Sequence, residues 1–224
     1  MKKITVMILF AVLLGACASK PAQSPDFIYG NKLYNNFVNY YLSGKARLAE
    51  RAFHDAEEQF LRMDAMCNLS RIYIGRYVLD EAGEDLAALE KASEFASLGA
   101  CTAEGETIKF LLGKSYEKSL LPEPYYYTAE ADTEKIVSLS GDSDFPDYTR
   151  TRLMRRAAID YIVTDPAKSE KLSEAAIVID RFNGWSLNIL RDLIIIKLAK
   201  EKMGQNTEDI KKRIELVKIV LPKK

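Results

Sequence analysis

His54 is the only imidazole in the chain, so any chemistry that needs one must use it. It follows Phe53 and stands one position off the apolar stripe of its segment, the position of a solvated surface group. No second histidine accompanies it, and no cysteine or carboxylate stands at metal-ligand spacing from it. Neither a zinc site nor a histidine-based nucleophilic triad is therefore assembled. The carboxylates Glu57-Glu58 and Asp132/Glu134 are adjacent or near-adjacent charges of the kind that coat a wet helix face, and nothing separates them into an acid and a base. Glycine-rich phosphate loops, Gly-x-Ser-x-Gly and His-Glu-x-x-His are all absent from the sequence. The pattern reads as a non-catalytic protein with no cofactor and no metal. Sulfur is the remaining chemistry, in three cysteines, Cys17, Cys67 and Cys101.

Cys17 stands directly behind a leader. Lys2 and Lys3 make a positive start, Ile4 to Leu14 is an apolar run, and Leu14-Gly15-Ala16-Cys17 follows. The run is shorter than the roughly 20 helical residues that a bilayer span requires, so it reads as an export signal rather than an anchoring helix. The Leu-Gly-Ala-Cys tetrad resembles the lipobox of bacterial lipoproteins. The resemblance implies lipid attachment at the Cys17 sulfur, cleavage before it and fatty acylation, with chains such as palmitate, of the new amino terminus. Ala18 then becomes the second mature residue, which by the enterobacterial sorting rule points to the outer membrane, facing the periplasm. Residues 1–16 are thus the signal peptide, 17–25 a lipidated tether of small and polar residues with prolines, and 26–224 the folded part.

Export also bears on the other two cysteines. With Cys17 acylated, Cys67 and Cys101 remain as an even pair in an oxidising compartment, where a disulfide forms if the fold brings them together. Cys67 lies about one turn into the third predicted helix and Cys101 just past the fourth. In an antiparallel hairpin those two ends return to each other. Two buried free thiols are the alternative.

The elements that must position these residues read as helices throughout. Hydrophobic residues make up 48% of the chain and charged residues 29%, which excludes disorder and a polytopic membrane protein. Gly (11) and Pro (7) are too scarce for the many tight turns of a β-sandwich. Basic and acidic residues balance at 32 each, so no general nucleic-acid affinity follows. Apolar residues recur at three and four positions over Phe27–Leu42, Ala46–Leu61, Asp64–Leu79, Glu84–Leu98, Glu104–Leu120, Thr128–Leu139, Asp147–Val163, Pro166–Phe182, Trp185–Met203 and Thr207–Val220. Asp165 before Pro166 is an N-cap, Asn183-Gly184 and Met203-Gly204 are helix stops, and Thr207 supplies a capping hydroxyl. The second helix of each pair carries small or apolar residues spaced 0, 4 and 7: Ala49/Phe53/Ala56, Ala88/Ala92/Phe95, Ala129/Thr133/Ile136, Leu172/Ala176/Ile179 and Ile210/Ile214/Val217. Their starts advance by close to 40 residues, the rhythm of an α-solenoid of about five helical hairpins. A non-repetitive helical bundle is the alternative. Pro122 to Tyr127 is a stiff loop with three tyrosines, of which at least one faces solvent.

One stretch carries more than amphipathicity. From Tyr40 to Ala56 a tyrosine is followed by a turn glycine four residues on (Gly44), an alanine at nine (Ala49), an aromatic at thirteen (Phe53) and an alanine at sixteen (Ala56). This resembles the middle of a tetratricopeptide repeat. Leu69-Ser70 with Tyr73, and Leu112-Gly113 with Tyr116, resemble its first helix, where a small residue lets two helices approach closely. The resemblance implies an all-α, tetratricopeptide-like fold and a concave groove lined by the first helices of the first three hairpins. Placing Tyr40, Tyr73 and Tyr116 in equivalent positions sends Asn35, Val38, Tyr41, Asn68, Arg71, Lys114 and Lys118 toward that groove. Asn amides there clamp an extended backbone, and the basic residues favour a carboxylate or acidic segment. The function this implies is a lipid-anchored scaffold that binds a protein or peptide partner in an envelope assembly, secretion or surface-structure complex. A periplasmic cell-wall enzyme or enzyme activator, and a self-associating structural lipoprotein, are the alternatives.

Overall fold

The computed structural model describes residues 24–81 and 83–221. The expected signal peptide, Cys17 and nearly all of the expected tether lie outside the described residues. Among the described residues the chain forms eleven α-helices, one 3-10 turn and no strand. The first five helices are α1 (Pro25–Leu42), α2 (Ala46–Arg62), α3 (Met66–Asp80), α4 (Leu86–Leu98) and α5 (Thr102–Leu111). A 3-10 turn at Lys118–Leu120 and the single turn α6 (Tyr125–Thr128) lead to α7 (Thr133–Ser140). The last four are α8 (Asp147–Thr164), α9 (Pro166–Asn183), α10 (Ser186–Lys202) and α11 (Glu208–Val220). Successive helices pack as consecutive hairpins, α1 on α2, α3 on α4, α8 on α9 and α10 on α11, making an all-α solenoid. No described helix is long and apolar enough to cross a membrane.

Local chemistry sets the boundaries. Ser24 caps α1 by accepting from the Phe27 N–H, with Pro25 at the first helical position. Asp85, Asp132 and Asp165 do the same for α4, α7 and α9, each accepting from the N–H three residues on. Such caps stabilise a helix by about 1 kcal/mol each. Gly44, Gly184 and Gly204 take left-handed φ and end α1, α9 and α10. At α11 the side chain that caps is Asn206, which accepts from the Glu208 N–H at 2.9 Å, whereas the Thr207 hydroxyl makes no cap bond.

The first two hairpins share one core. Phe37, Phe53 and Phe60 are buried, and each contributes roughly 1.5–3 kcal/mol of burial free energy. Aromatic rings run across four helices, Phe37 to Phe53 at 4.9 Å, Phe53 to Tyr73 at 5.0 Å and Tyr73 to Phe95 at 5.7 Å. Ser70 is wholly buried, and its hydroxyl donates to the Ala92 carbonyl of α4 at 2.9 Å. The small residue thus lets α3 and α4 meet backbone to side chain. The spacing 0, 4, 7 is fully buried only at Ala49/Phe53/Ala56 and Ala88/Ala92/Phe95; in the later hairpins Ala129, Thr133, Leu172, Ile179 and Val217 are half-buried.

The third hairpin departs from the expectation of two long helices, Glu104–Leu120 and Thr128–Leu139. α5 stops at Leu111 because Gly113 turns left-handed at φ +66, and the Glu106 carboxylate then accepts from the Glu117 N–H at 2.7 Å. Pro122 and Pro124 lack the N–H that a continuing helix needs, and helix resumes in full only where Asp132 caps α7.

The C-terminal half returns to the start of the chain. Trp185, buried before α10, donates its indole N–H to Asn39 of α1 at 3.2 Å. Arg191 donates to the Leu79 and Asp80 carbonyls at 2.9 and 3.1 Å, satisfying backbone acceptors that the end of α3 leaves open. In α10, Ile195 and Ile196 are buried while Ile194 and Leu198 are exposed on the outer side.

Candidate functional site

Glu81 follows α3 in a left-handed conformation, φ +50, and this turns its carboxylate back toward α8. There it meets Arg155, whose side chain is 2% exposed. The Arg155 guanidinium lies 2.9 Å from Glu81, 2.9 Å from Asp180 of α9 and 3.4 Å from Asp192 of α10. Arg191 approaches Glu81 at 3.5 Å, and Asn188 donates to Asp180 at 3.3 Å. Four segments thus converge on one buried polar knot. Burial opposes the Arg155 charge, but the three carboxylates outweigh it and push its pKa further up. Burial alone would raise the Glu81 carboxyl, and Arg155 with Arg191 brings it below the usual range. Asp192 goes the other way: burial, with Asp180 beside it, holds its carboxyl well above the usual range. Burial thus favours the protonated form of Asp192.

The knot fixes α8 across the inner face of the first hairpins. Tyr34 and Val38 of α1 and Gly75 and Val78 of α3 enclose a cavity of only about 50 Å³ with Tyr125, Tyr148 and Arg152. Gly75 is required there, since a Cβ would stand 1.7 Å from the Tyr34 hydroxyl oxygen. Beyond this filled part lies an open cleft of about 440 Å³. Its walls are Phe110 and Leu111 of α5, Pro124 and Tyr125 of the proline loop, and Arg152, Leu153 and Arg156 of α8, with Ile159 and Asp160 at one end. Phe110 stacks edge-on against Tyr125 at 6.1 Å between centroids. Burial pushes the Tyr125 hydroxyl up to about 12, so it keeps its proton and is a donor.

The residues expected in the groove fall into separate surroundings. Val38 is buried against the small cavity, and Tyr41 beside it donates to Asp80 at 3.4 Å. Asn35 is exposed on α1 and Asn68 half-buried on α3. Arg71 lies against Glu104 of α5 at 2.5 Å. Lys114 and Lys118 are not on the helix that was to present them: Lys114 lines a shallow hollow with Ala100 and Lys109, and Lys118 pairs with Glu130 at 2.7 Å. Tyr116 likewise sits in the loop, stacked on Phe110, so it is not the helical equivalent of Tyr40 and Tyr73. Tyr126 and Tyr127 are exposed while Tyr125 is half-buried in the cleft wall.

Cys67 and Cys101 are joined by a disulfide with 5.5 Å between α-carbons, linking the first turn of α3 to the residue before α5. Glu104 lies beside the bridge, but the sulfurs bind each other and offer no thiolate. His54 is exposed and faces Glu57 at 3.5 Å. Arg155, Glu81, Asp180 and Asp192, as well as Arg152 and Arg156, are not among the residues that motif and spacing single out in the sequence. The signal available was a charged residue on an apolar stripe: Asp180 stands four residues after Ala176 and three after Ile177, and Asp192 three before Ile195 and four before Ile196.

Compared with protein-family models, curated proteins and solved structures, the chain matches none of them.

Proposed function

We propose that this protein is a lipid-anchored, periplasm-facing helical-repeat scaffold, held at the outer membrane through Cys17, that binds a protein or peptide of a cell-envelope complex. The observation that carries the reading is the inner face of the stacked hairpins, which the chain fills at one part and leaves open as a cleft at the other. Solenoids bind on such faces because each repeat presents side chains to one continuous surface. α5 joins the polar and apolar parts of this surface. Its first turn holds Arg71 through Glu104, and its last turn walls the cleft with Phe110 and Leu111, about 10 Å further along the helix. Asn35 of α1 and Asn68 of α3 lie outside the cleft, Asn68 in a separate hollow with Met66, Leu98 and Gly99, and offer amides for an extended backbone. The charged and small-residue leader ending in Cys17 supports the membrane half of the reading.

The test places a photo-crosslinking residue at Asn35, at Asn68 or at the exposed Leu216 of α11 in cells that make the full chain. Discrete protein adducts are expected from Asn35 and Asn68 and not from Leu216. Absence of adducts from all three positions, or equal labelling from Leu216, overturns the binding face. Fatty-acid labelling of the same cells is expected for the native chain and not for Cys17→Ser, and label retained by that variant overturns the anchor.

A further inference from the structure

We infer that the cleft between α5, the proline loop and α8 binds the carboxylate end of an apolar or aromatic chain, with Arg152 and Arg156 as its anion-holding residues. This deepens the binding-module reading and rests on it. Guanidinium groups drawn partly out of water are normally paired, and Arg155 follows that rule with three carboxylates. Arg152 does not. It is half-buried in the cleft wall, and among the described residues it makes no ion pair and no hydrogen bond; Arg156, exposed beside it, is likewise unpaired. The two stand four residues apart on α8 and so on one side of the helix, about 5–6 Å apart at Cβ. That separation lets both forks reach the two oxygens of a single carboxylate. The Tyr125 hydroxyl, protonated and without a hydrogen-bond partner among the described residues, is a third donor lining the same space.

The remaining walls select the body of the ligand. Phe110, Leu111, Pro124, Leu153 and Ile159 are apolar, and a cleft of about 440 Å³ lies within the range of small-ligand pockets. Charge selects a monoanion. Arg152, Arg155 and Arg156 line the cleft with the two carboxylates Glu81 and Asp160; Glu81 is engaged mainly by Arg155 and less by Arg152, so the lining keeps a net positive charge. Asp160 already accepts from the Thr133 hydroxyl at 3.0 Å and would repel the second charge of a phosphate monoester or an acidic run. A free peptide C-terminus ending in an aromatic residue and a free fatty acid share the required chemistry.

The probe is a dansyl-labelled Gly-Phe-Phe peptide with a free C-terminal carboxylate, paired with its C-terminal amide, titrated by fluorescence anisotropy with the full chain in lipid nanodiscs. The free acid is expected to bind about tenfold tighter than the amide or better, the effect of a charge-assisted hydrogen-bond pair. Arg152→Gln with Arg156→Gln is expected to bring the free acid down to the amide's affinity while leaving the thermal unfolding midpoint in place, because neither side chain makes a native bond. Octanoate that displaces the probe assigns the carboxylate to a fatty acid, and failure to displace assigns it to a peptide terminus. Equal binding of acid and amide, undiminished binding by the double variant, or no binding by the acid below about 1 mM overturns the inference. Partner adducts from Asn35 that persist in the double variant would then show that the scaffold reading stands without it.

Discussion

Replacing Arg155 by methionine tests whether the buried knot closes the solenoid. The substitution roughly conserves the stem and removes the cation from a site that is 2% exposed. Glu81 is the least affected acid, being partly exposed and retaining Arg191 at 3.5 Å. Asp180 and Asp192 are fully buried, and they lose the charge that they share. Breaking a buried ion pair by removing one partner costs about 3–5 kcal/mol. The low end applies here, about 3 kcal/mol, because Asp180 keeps its bond from Asn188 and burial already favours the protonated form of Asp192. For a domain whose total stability is roughly 5–15 kcal/mol, that is a large fraction. Urea unfolding followed by far-UV circular dichroism is expected to show the midpoint falling by about 1–2 M with unchanged slope. Adding Asp180→Asn and Asp192→Asn to the same chain should recover most of the loss. A loss under about 1 kcal/mol, or a triple variant no more stable than the single one, would refute the view that stranded charge, rather than lost packing volume, is what the substitution exposes.

Asp192→Asn alone reports on the proton. Because the folded pKa is raised, the native state holds a proton that the unfolded chain releases, so this contribution is full below the unfolded value and fades as pH climbs toward about 9. The native chain is therefore expected to lose stability between about pH 5 and pH 8, by up to about 1.4 kcal/mol per unit from this group, and the variant to lose less; parallel curves would remove the assignment. Reducing the Cys67–Cys101 bridge, whose partners are 34 residues apart, is expected to cost about 3.8 kcal/mol in the chain-entropy relation, read as the difference between oxidised and reduced unfolding curves. Gly99→Ala is expected to destabilise by about 1–3 kcal/mol, because its Cβ would stand 2.6 Å from the Cys101 sulfur and 2.7 Å from the Met66 Cβ. A variant as stable as the native chain in thermal unfolding would show that the bridge can shift to admit it.

The first two hairpins were legible because every local signal agreed. Tyr40, Gly44, Ala49, Phe53 and Ala56 stand at repeat spacing, the glycine turns, and Phe53 and Ala56 are buried. The third hairpin was misread because amphipathic spacing continues through Gly113 to Leu120 although the backbone does not. One left-handed glycine and a carboxylate pulling back Glu117 outweigh propensity there. That error carried into the site. Lys114, Tyr116 and Lys118 were placed on a helix by a period that had already ended. The charged residues on α8, α9 and α10 were passed over for a related reason: each is unremarkable on its own helix. Arg155, Asp180 and Asp192 acquire meaning only when three helices, 25 and 37 residues apart along the chain, are brought together.

The knot and the cleft have one cause. Arg155 ties α8 to the end of α3 through Glu81, while Leu153 and Ala157 of the same helix pack into an apolar core with Ile136, Leu139 and Phe145. On the α1 and α3 side the fit is close, with Tyr125 and Tyr148 leaving only about 50 Å³. On the α5 side, among the described residues, no ion pair or hydrogen bond joins α5 to α8: α5 ends at Leu111, the chain leaves it through Gly113, and the space between Phe110 and Ile159 stays open. The same helix then presents, one position past Arg155 and three before it, two guanidinium groups that make no ion pair and no hydrogen bond among the described residues. An apolar α8 would have packed the space shut or left it neutral. The sequence position of Arg155 thus decides both where the solenoid closes and what kind of charge its remaining opening can accept.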